Sequence, residues 1–195
     1  MIARVRGPVL EALPNRLVVE AGGIGYQVTV PLSTFDKLNP REGSEVKLLT
    51  YLHIRETAQV LYGFATAEER DVFLLLIERV SGIGPAIAMA VLSGMPVDRF
   101  KGCVVEGDIA ALATIKGLGK KTAERIVLEL KDKVGVTAAW EARGEKAGAP
   151  GRDAELALLA LGYKQAEARK VLRKALEESP EAGADELIRL ALRAL

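Results

Sequence analysis

The chain has a single cysteine, Cys103, and a single histidine, His53, so an intrachain disulfide, a cysteine cluster and a histidine zinc site are all excluded. Cys103 reads as a core residue. Aromatics make up only 5% of the 195 residues, and no uncharged apolar run approaches the roughly 18 residues that a membrane helix needs. The start, Met1-Ile2-Ala3-Arg4-Val5-Arg6, has no signal-peptide core. These absences point to a cytoplasmic protein without membrane contact, bound metal or disulfide. Charge of one sign is also lacking: the formal net charge is +1. A polyanion binder of this composition must concentrate its cations locally, and only residues 101–133, with 7 basic and 5 acidic groups, do so clearly. Affinity would then rest on a few directed contacts per chain, multiplied over several copies.

Hydrophobic residues, at 49%, are ample for packed cores. Within 1–64 the stretches Ile2–Val5, Leu17–Glu20, Tyr26–Val30, Val46–Ile54 and Gln59–Phe64 are rich in β-branched and aliphatic residues, and breaker clusters separate them. Ser33–Leu38 can form a short helix. Five short strands and one helix suit a small closed barrel; an OB-fold is the natural candidate, and a generic small barrel the alternative. The last two strands meet at Ile54-Arg55-Glu56-Thr57-Ala58-Gln59, a tip bearing one cation and one carboxylate.

Residues 65–133 read as helical. Thr66 is placed to cap a helix starting near Ala67, and Pro85 sits where a first-turn proline is tolerated. A linking helix runs from Pro96-Val97-Asp98 to near Gly107. The informative stretch is Ile115-Lys116-Gly117-Leu118-Gly119-Lys120-Lys121-Thr122-Ala123, a glycine turn opening into a basic helix that continues to Leu130 by its apolar spacing. The unbonded N–H groups of such a helix start, with Lys120 and Lys121 beside them, make an anion site. It is not a nucleotide-cradling P-loop, because Thr114 stands where the motif needs its first glycine. No nucleotide or other cofactor is expected, and the anion that suits the site better is a backbone phosphate of a nucleic acid.

Val80-Ser81-Gly82-Ile83-Gly84-Pro85-Ala86-Ile87-Ala88 aligns with that stretch without gaps, 35 residues upstream. Helices precede both turns, at Glu68–Arg79 and Asp108–Thr114. One such glycine turn is explained equally well by tight helix packing. Two copies resemble the helix-hairpin-helix family of sequence-independent DNA binders.

Composition then shifts: residues 134–151 hold four glycines and a proline with little apolar periodicity, and read as a flexible linker. Trp140 is its one large apolar residue, expected to dock back on the helical domain. Residues 152–195 read as a three-helix bundle, Asp153–Leu161, Gln165–Glu178 and Ala184–Ala194. Its Leu-Gly-Tyr turn resembles the exposed loop of ubiquitin-associated-type bundles; Leu158, Leu161 and Leu192 suit either that surface or the core.

Taken together, MIARVRGPV, GGIGYQVTVP, the barrel ending LYGF, the turns SGIGP and KGLGKKTAERIVLELKDK, and the terminal ALLALGYK resemble the RuvA family of bacterial Holliday-junction branch-migration subunits over essentially the whole chain. The resemblance implies a multidomain α+β protein: an OB-fold barrel (1–64), a tandem helix-hairpin-helix domain (65–133), a linker (134–151) and a ubiquitin-associated-like three-helix domain (152–195). It implies a homotetramer on an opened, square four-way junction; whether four or eight subunits act on one junction stays open. Gly82, Gly84, Pro85, Gly117, Gly119, Lys120, Lys121 and Thr122 would hold backbone phosphates. The tip Arg55-Glu56-Thr57 would be the acidic pin at the junction centre, with Thr57 where the family pairs a second carboxylate. Ala86 replaces the lysine common after Gly-Pro in the first turn. Leu158, Leu161, Tyr163 and Leu192 would engage the hexameric RuvB motor, which uses the ATP; the RuvC junction resolvase is the further partner implied.

Two other classes compete. In a helix-hairpin-helix DNA glycosylase Lys121 would be the nucleophile and a carboxylate should follow the second helix, but Val134–Trp140 contains none. In a protein-binding adaptor the terminal bundle would carry function and the glycine turns would be structural only. With no P-loop, metal ligands or acid/base pair, the chain reads as non-catalytic.

Overall fold

The structure is a computed structural model that describes residues 1–141 and 149–194, with the backbone alone for 135–141. It divides into two compact units, Met1–Glu129 and Leu130–Leu195.

The first unit opens with strands β1 (Arg4–Leu13), β2 (Arg16–Ala21) and β3 (Ile24–Thr29), helix α1 (Leu32–Leu38), and strands β4 (Glu45–Arg55) and β5 (Ala58–Phe64). Alternating residues of these strands point inward, so Val5, Val9, Leu17, Val19, Val28, Leu48 and Leu61 fill a single core. The order β1-β2-β3-β5-β4 closes into a barrel in which only β3 and β5 run parallel. This is the five-stranded OB-like barrel expected from the strand count. The first strand differs from expectation: it begins at Arg4 instead of Ile2 and is far longer. Its first half pairs with β4, and its second, from Val9 onward and with an irregularity between Val9 and Glu11, pairs with β2. One long strand serving both neighbours is what shuts the barrel. Gly7 permits the approach, since a Cβ there would lie 1.8 Å from the Glu20 backbone oxygen.

Helices α2 (Ala67–Arg79), α3 (Pro85–Gly94), α4 (Val97–Glu106), α5 (Ile109–Ala113) and α6 (Lys120–Glu141) follow. Thr66 caps α2 as expected: its hydroxyl accepts from the Glu69 N–H at 3.2 Å, and Glu69 Oε2 accepts from the Thr66 N–H at 3.4 Å. The same buried carboxylate accepts the Ser33 and Thr34 hydroxyls of α1, both at 2.7 Å, and the Ala65 N–H at 3.0 Å. A buried carboxylate is tolerable when its lone pairs are used in this way. Glu69 thereby ties the barrel's helix to the first helix beyond the barrel. A second tie is apolar: the Phe73 ring of α2 packs against Phe64, Tyr62 and Tyr51, with centroids 4.9, 5.2 and 5.6 Å away.

Helix α6 runs beyond Leu130, the end expected from its apolar spacing: its backbone continues through Val134–Glu141, into the stretch read as a linker. Gly135 costs a helix about 1 kcal/mol, and no proline follows it before Glu141 to stop propagation. The side chain of Trp140 and the linker residues 142–148 lie outside the described residues.

In the second unit, α7 (Pro150–Ala160), α8 (Gln165–Glu178) and α9 (Ala184–Ala194) form the expected three-helix bundle around Ala154, Leu158, Ala168, Leu172, Leu187 and Ala191. A 2.7 Å bond between Arg169 Nε and the buried Glu155 links α8 to α7. Among the described residues, no helix is long and apolar enough to cross a membrane.

Candidate nucleic-acid interface

The two glycine turns repeat the same hydrogen bonds at the 35-residue offset. In the first, the Ile83 N–H donates to the Val80 carbonyl at 3.1 Å; in the second, the Leu118 N–H donates to the Ile115 carbonyl at 2.9 Å. Each turn places its third residue in the left-handed region, Gly82 at φ +80° and Gly117 at φ +88°. A side chain is disfavoured there. After each turn the next glycine's carbonyl starts a helix, with Gly84 accepting from Ile87 and Ala88 and Gly119 from Thr122 and Ala123 at 3.0–3.2 Å. Val80, Ile83 and Ala88, like Ile115, Leu118 and Ala123, are buried, so apolar anchors hold both turns from beneath.

What remains outside is the helix start. Gly117, Gly119, Lys120 and Lys121 are exposed, and the first N–H groups of α6 have no carbonyl one turn earlier to bond. Those amides, with the positive end of the helix dipole and two ammonium groups, suit a phosphate oxygen. Thr122, half-buried on the first turn, donates its N–H to Gly119. The first copy is poorer: Pro85 is buried and has no N–H, and Ala86 offers no charge.

The four glycines have different jobs. Gly82 and Gly117 serve the turn. Gly84 has φ −107°, and a Cβ built on it or on Gly119 would meet nothing within 4 Å. The fold does not require glycine at these two positions, and without a side chain they leave the backbone open to close approach.

Across the two turns lies a contact that sequence reading does not reveal. Arg125 of α6 donates through Nη1 to the Ser81 carbonyl at 2.6 Å, and Glu129 accepts the Ser81 N–H at 3.2 Å. Only the four-residue spacing of Arg125 and Glu129 is visible in the sequence, and that spacing is ordinary on an exposed helix.

At the other functional candidate, Arg55 pairs with Ala58 across the end of the β4–β5 hairpin, leaving Glu56 and Thr57 as a two-residue turn. All four are exposed. Arg55 Nε donates to His53 Nε2 at 2.9 Å, which draws the cation back along the strand and leaves Glu56 at the tip. Burial pushes the neighbouring Tyr62 phenol up, with the Arg55 charge opposing.

In the terminal bundle the four apolar candidates separate. Leu158 is fully buried in the core and offers no surface, contrary to its expected role as an anchor for a partner. Its place in the last turn of α7, in the core with residues of α8 and α9, explains this. Leu161 and Leu192 are 62% and 41% exposed. Tyr163 packs partly against the core. The Tyr163 N–H donates to Leu158 and the Gly162 N–H to Leu159, with Gly162 at φ +97°, so a Schellman turn ends α7 and leaves Leu161 outside. Among the described residues, no group of three or more His, Cys, Asp or Glu is placed to hold a metal ion.

Comparison with known proteins finds three family matches in this order along the chain. Residues 1–63 match the family described as RuvA N terminal domain, 73–132 the SAM-like helix-hairpin-helix tandem, and 150–195 the RuvA C-terminal domain. The Holliday junction branch migration complex subunit RuvA of Thioalkalivibrio sulfidiphilus is 45% identical, with 100% of this chain and 98% of that one covered. The protein of the same name from Paraburkholderia xenovorans is 46% identical, again over 100% and 98%. That from Halorhodospira halophila is 45% identical over 99% and 97%.

The division of labour between glycines is testable by urea unfolding. Gly117→Ala should cost about 1–2 kcal/mol, the strain of a left-handed non-glycine residue, whereas Gly119→Ala should cost under about 1 kcal/mol, the preference of a helix cap for glycine over alanine. The reverse order would contradict the assignment.

Proposed function

The chain belongs to the RuvA family, and from that premise we propose that it binds four-way DNA junctions by their geometry, as a homotetramer that holds the junction open and square. The observation that carries this reading is the duplicated helix start: two glycine turns of matching backbone geometry, each opening into a helix whose first N–H groups suit a phosphate. Contacts of that kind set position on DNA without selecting sequence. Gly82 and Gly84 present the weaker site, with Pro85 buried beneath it to start the helix, and Gly117, Gly119, Lys120, Lys121 and Thr122 the stronger, more cationic one. A modest charge per chain becomes adequate when four chains engage one molecule of DNA. The close relatives are named as subunits of a branch-migration complex, which supports the same assignment.

The tip of the β4–β5 hairpin would stand near the junction centre. There Glu56 supplies one carboxylate per subunit, four around a fourfold axis, to repel phosphates as strands separate. Arg55, held on His53, leaves that charge uncompensated at the tip, and Thr57 contributes none. The terminal bundle would bind the hexameric ATPase RuvB through Leu161 and Leu192, with Tyr163 between core and surface. This chain would be a non-catalytic, cytoplasmic subunit without a cofactor of its own, since the motor uses the ATP. The RuvC resolvase is the remaining proposed partner.

A gel-shift titration tests the grip. A synthetic four-way junction should bind more tightly than linear duplex of the same sequence, and equal affinities would end the proposal. Lys120→Ala with Lys121→Ala should weaken binding and lower the salt slope by about one per lost phosphate contact; an unchanged slope would remove the two lysines from the site. Docking is tested separately, in a migration assay with the motor. Leu161→Asp with Leu192→Asp should spare junction affinity and abolish motor stimulation, and retained stimulation would move the docking surface elsewhere. In that assay Glu56→Gln should change the migration rate at unchanged junction affinity; an identical rate would leave the pin without a role.

A further inference from the structure

The geometry points to the Arg125–Glu129 pair as a positioning clamp: we infer that it fixes the first glycine turn on the second and so sets the spacing of the two phosphate sites. This rests on the function proposed above.

Ser81 stands at the tip of the first turn, immediately before Gly82. Both its backbone polar groups are held by one helix belonging to the other repeat. Arg125 Nη1 donates to its carbonyl at 2.6 Å and Glu129 Oε2 accepts its N–H at 3.2 Å. Arg125 Nε and Glu129 Oε1 lie 4.0 Å apart, one helical turn along α6. The guanidinium fits where a side chain on the turn would otherwise be, since a Cβ on Gly82 would stand 3.1 Å from Nη1. Fixing the two polar groups of a single peptide residue from one rigid helix leaves that residue little freedom to translate or rotate.

The clamp breaks the symmetry of the repeat. At the 35-residue offset the positions equivalent to Arg125 and Glu129 are Ala90 and Gly94 in α3, and the position equivalent to Ser81 is Lys116. The second repeat therefore holds the first, with no counterpart in the other direction at these positions. This is the arrangement that a weak site needs. The first turn has neither lysine of the second, and its grip depends on where its few free N–H groups stand. The stronger site carries its own charge and can tolerate error.

The sign of one mutation separates positioning from simple electrostatics. Glu129 is a carboxylate close to the surface proposed to meet DNA, so removing it should tighten binding if charge alone matters. If the clamp matters, Glu129→Ala should weaken four-way-junction binding, by about tenfold, the order of a lost charge-assisted hydrogen bond. Glu129→Gln, which keeps an acceptor for the Ser81 N–H, should recover most of that loss. Arg125→Ala should weaken binding without changing the salt slope, whereas a slope reduced by about one per subunit would identify Arg125 as a phosphate ligand and overturn its positioning role. Both residues sit on the outer side of α6, and melting temperatures serve to check that the full-length variants fold.

A DNA-free measurement keeps the clamp distinguishable from the proposed function. Amide hydrogen exchange at Ser81 should be protected in the wild type and accelerated in Glu129→Ala. Unchanged exchange, or junction affinity of Glu129→Ala equal to or tighter than wild type, would overturn the clamp. Failure of the wild type to prefer a junction over duplex would instead overturn the functional reading, and with it the clamp's role at DNA.

Discussion

The proposed grip on DNA depends on turning a chain sharply enough to present a helix start to the outside while its first apolar residues stay buried. The i to i+3 bond closed over a left-handed glycine does this at Gly82 and again at Gly117. The anchors Val80 and Ile83, and Ile115 and Leu118, hold the two sides of each turn in the core. With the turn fixed from below, the amides of the following helix are aimed outward, and little rearrangement is required of them on binding. The proposed grip on phosphate would in this sense be paid in advance, in folding energy.

Such a turn is useful only if its neighbours are equally well placed. Within Met1–Glu129 the buried Glu69 carboxylate joins α1 of the barrel to the cap of α2, and Phe73 of α2 lies against the aromatic residues of β4 and β5. Helix α2 ends at Arg79, next to the first turn, while β4 and β5 end in the Glu56–Thr57 tip. The tip that would part the strands and the turn that would hold an arm are therefore built into a single compact unit. The terminal bundle places Leu161 and Leu192 on its surface, the two residues proposed to meet the motor.

Much of this was legible because it is local. Strand alternation, the Thr66 cap and the gapless 35-residue repeat each depend on residues near one another in sequence, and the structure contains them. Features that depend on distant partners were not. Glu69 has the look of an ordinary first-turn acid until Ser33 and Thr34 come to meet it. Arg125 and Glu129 have the look of a surface pair, because nothing in their spacing names Ser81. Leu158 and Leu161 have the same chemistry, and only the Schellman turn at Gly162 decides that the first is core and the second surface. The end of α6 is hidden for another reason: the glycine content of 134–151 as a whole suggests a linker, whereas a helix yields to each residue in turn and passes Gly135.

In the proposed arrangement four copies of this chain share one junction. Mass measurement of the particle in solution, alone and with a synthetic four-way junction, tests it most directly. The complex should hold chains in multiples of four, as one tetramer or two, on a single junction. One or two chains per junction would contradict it, because neither number can occupy all four arms alike.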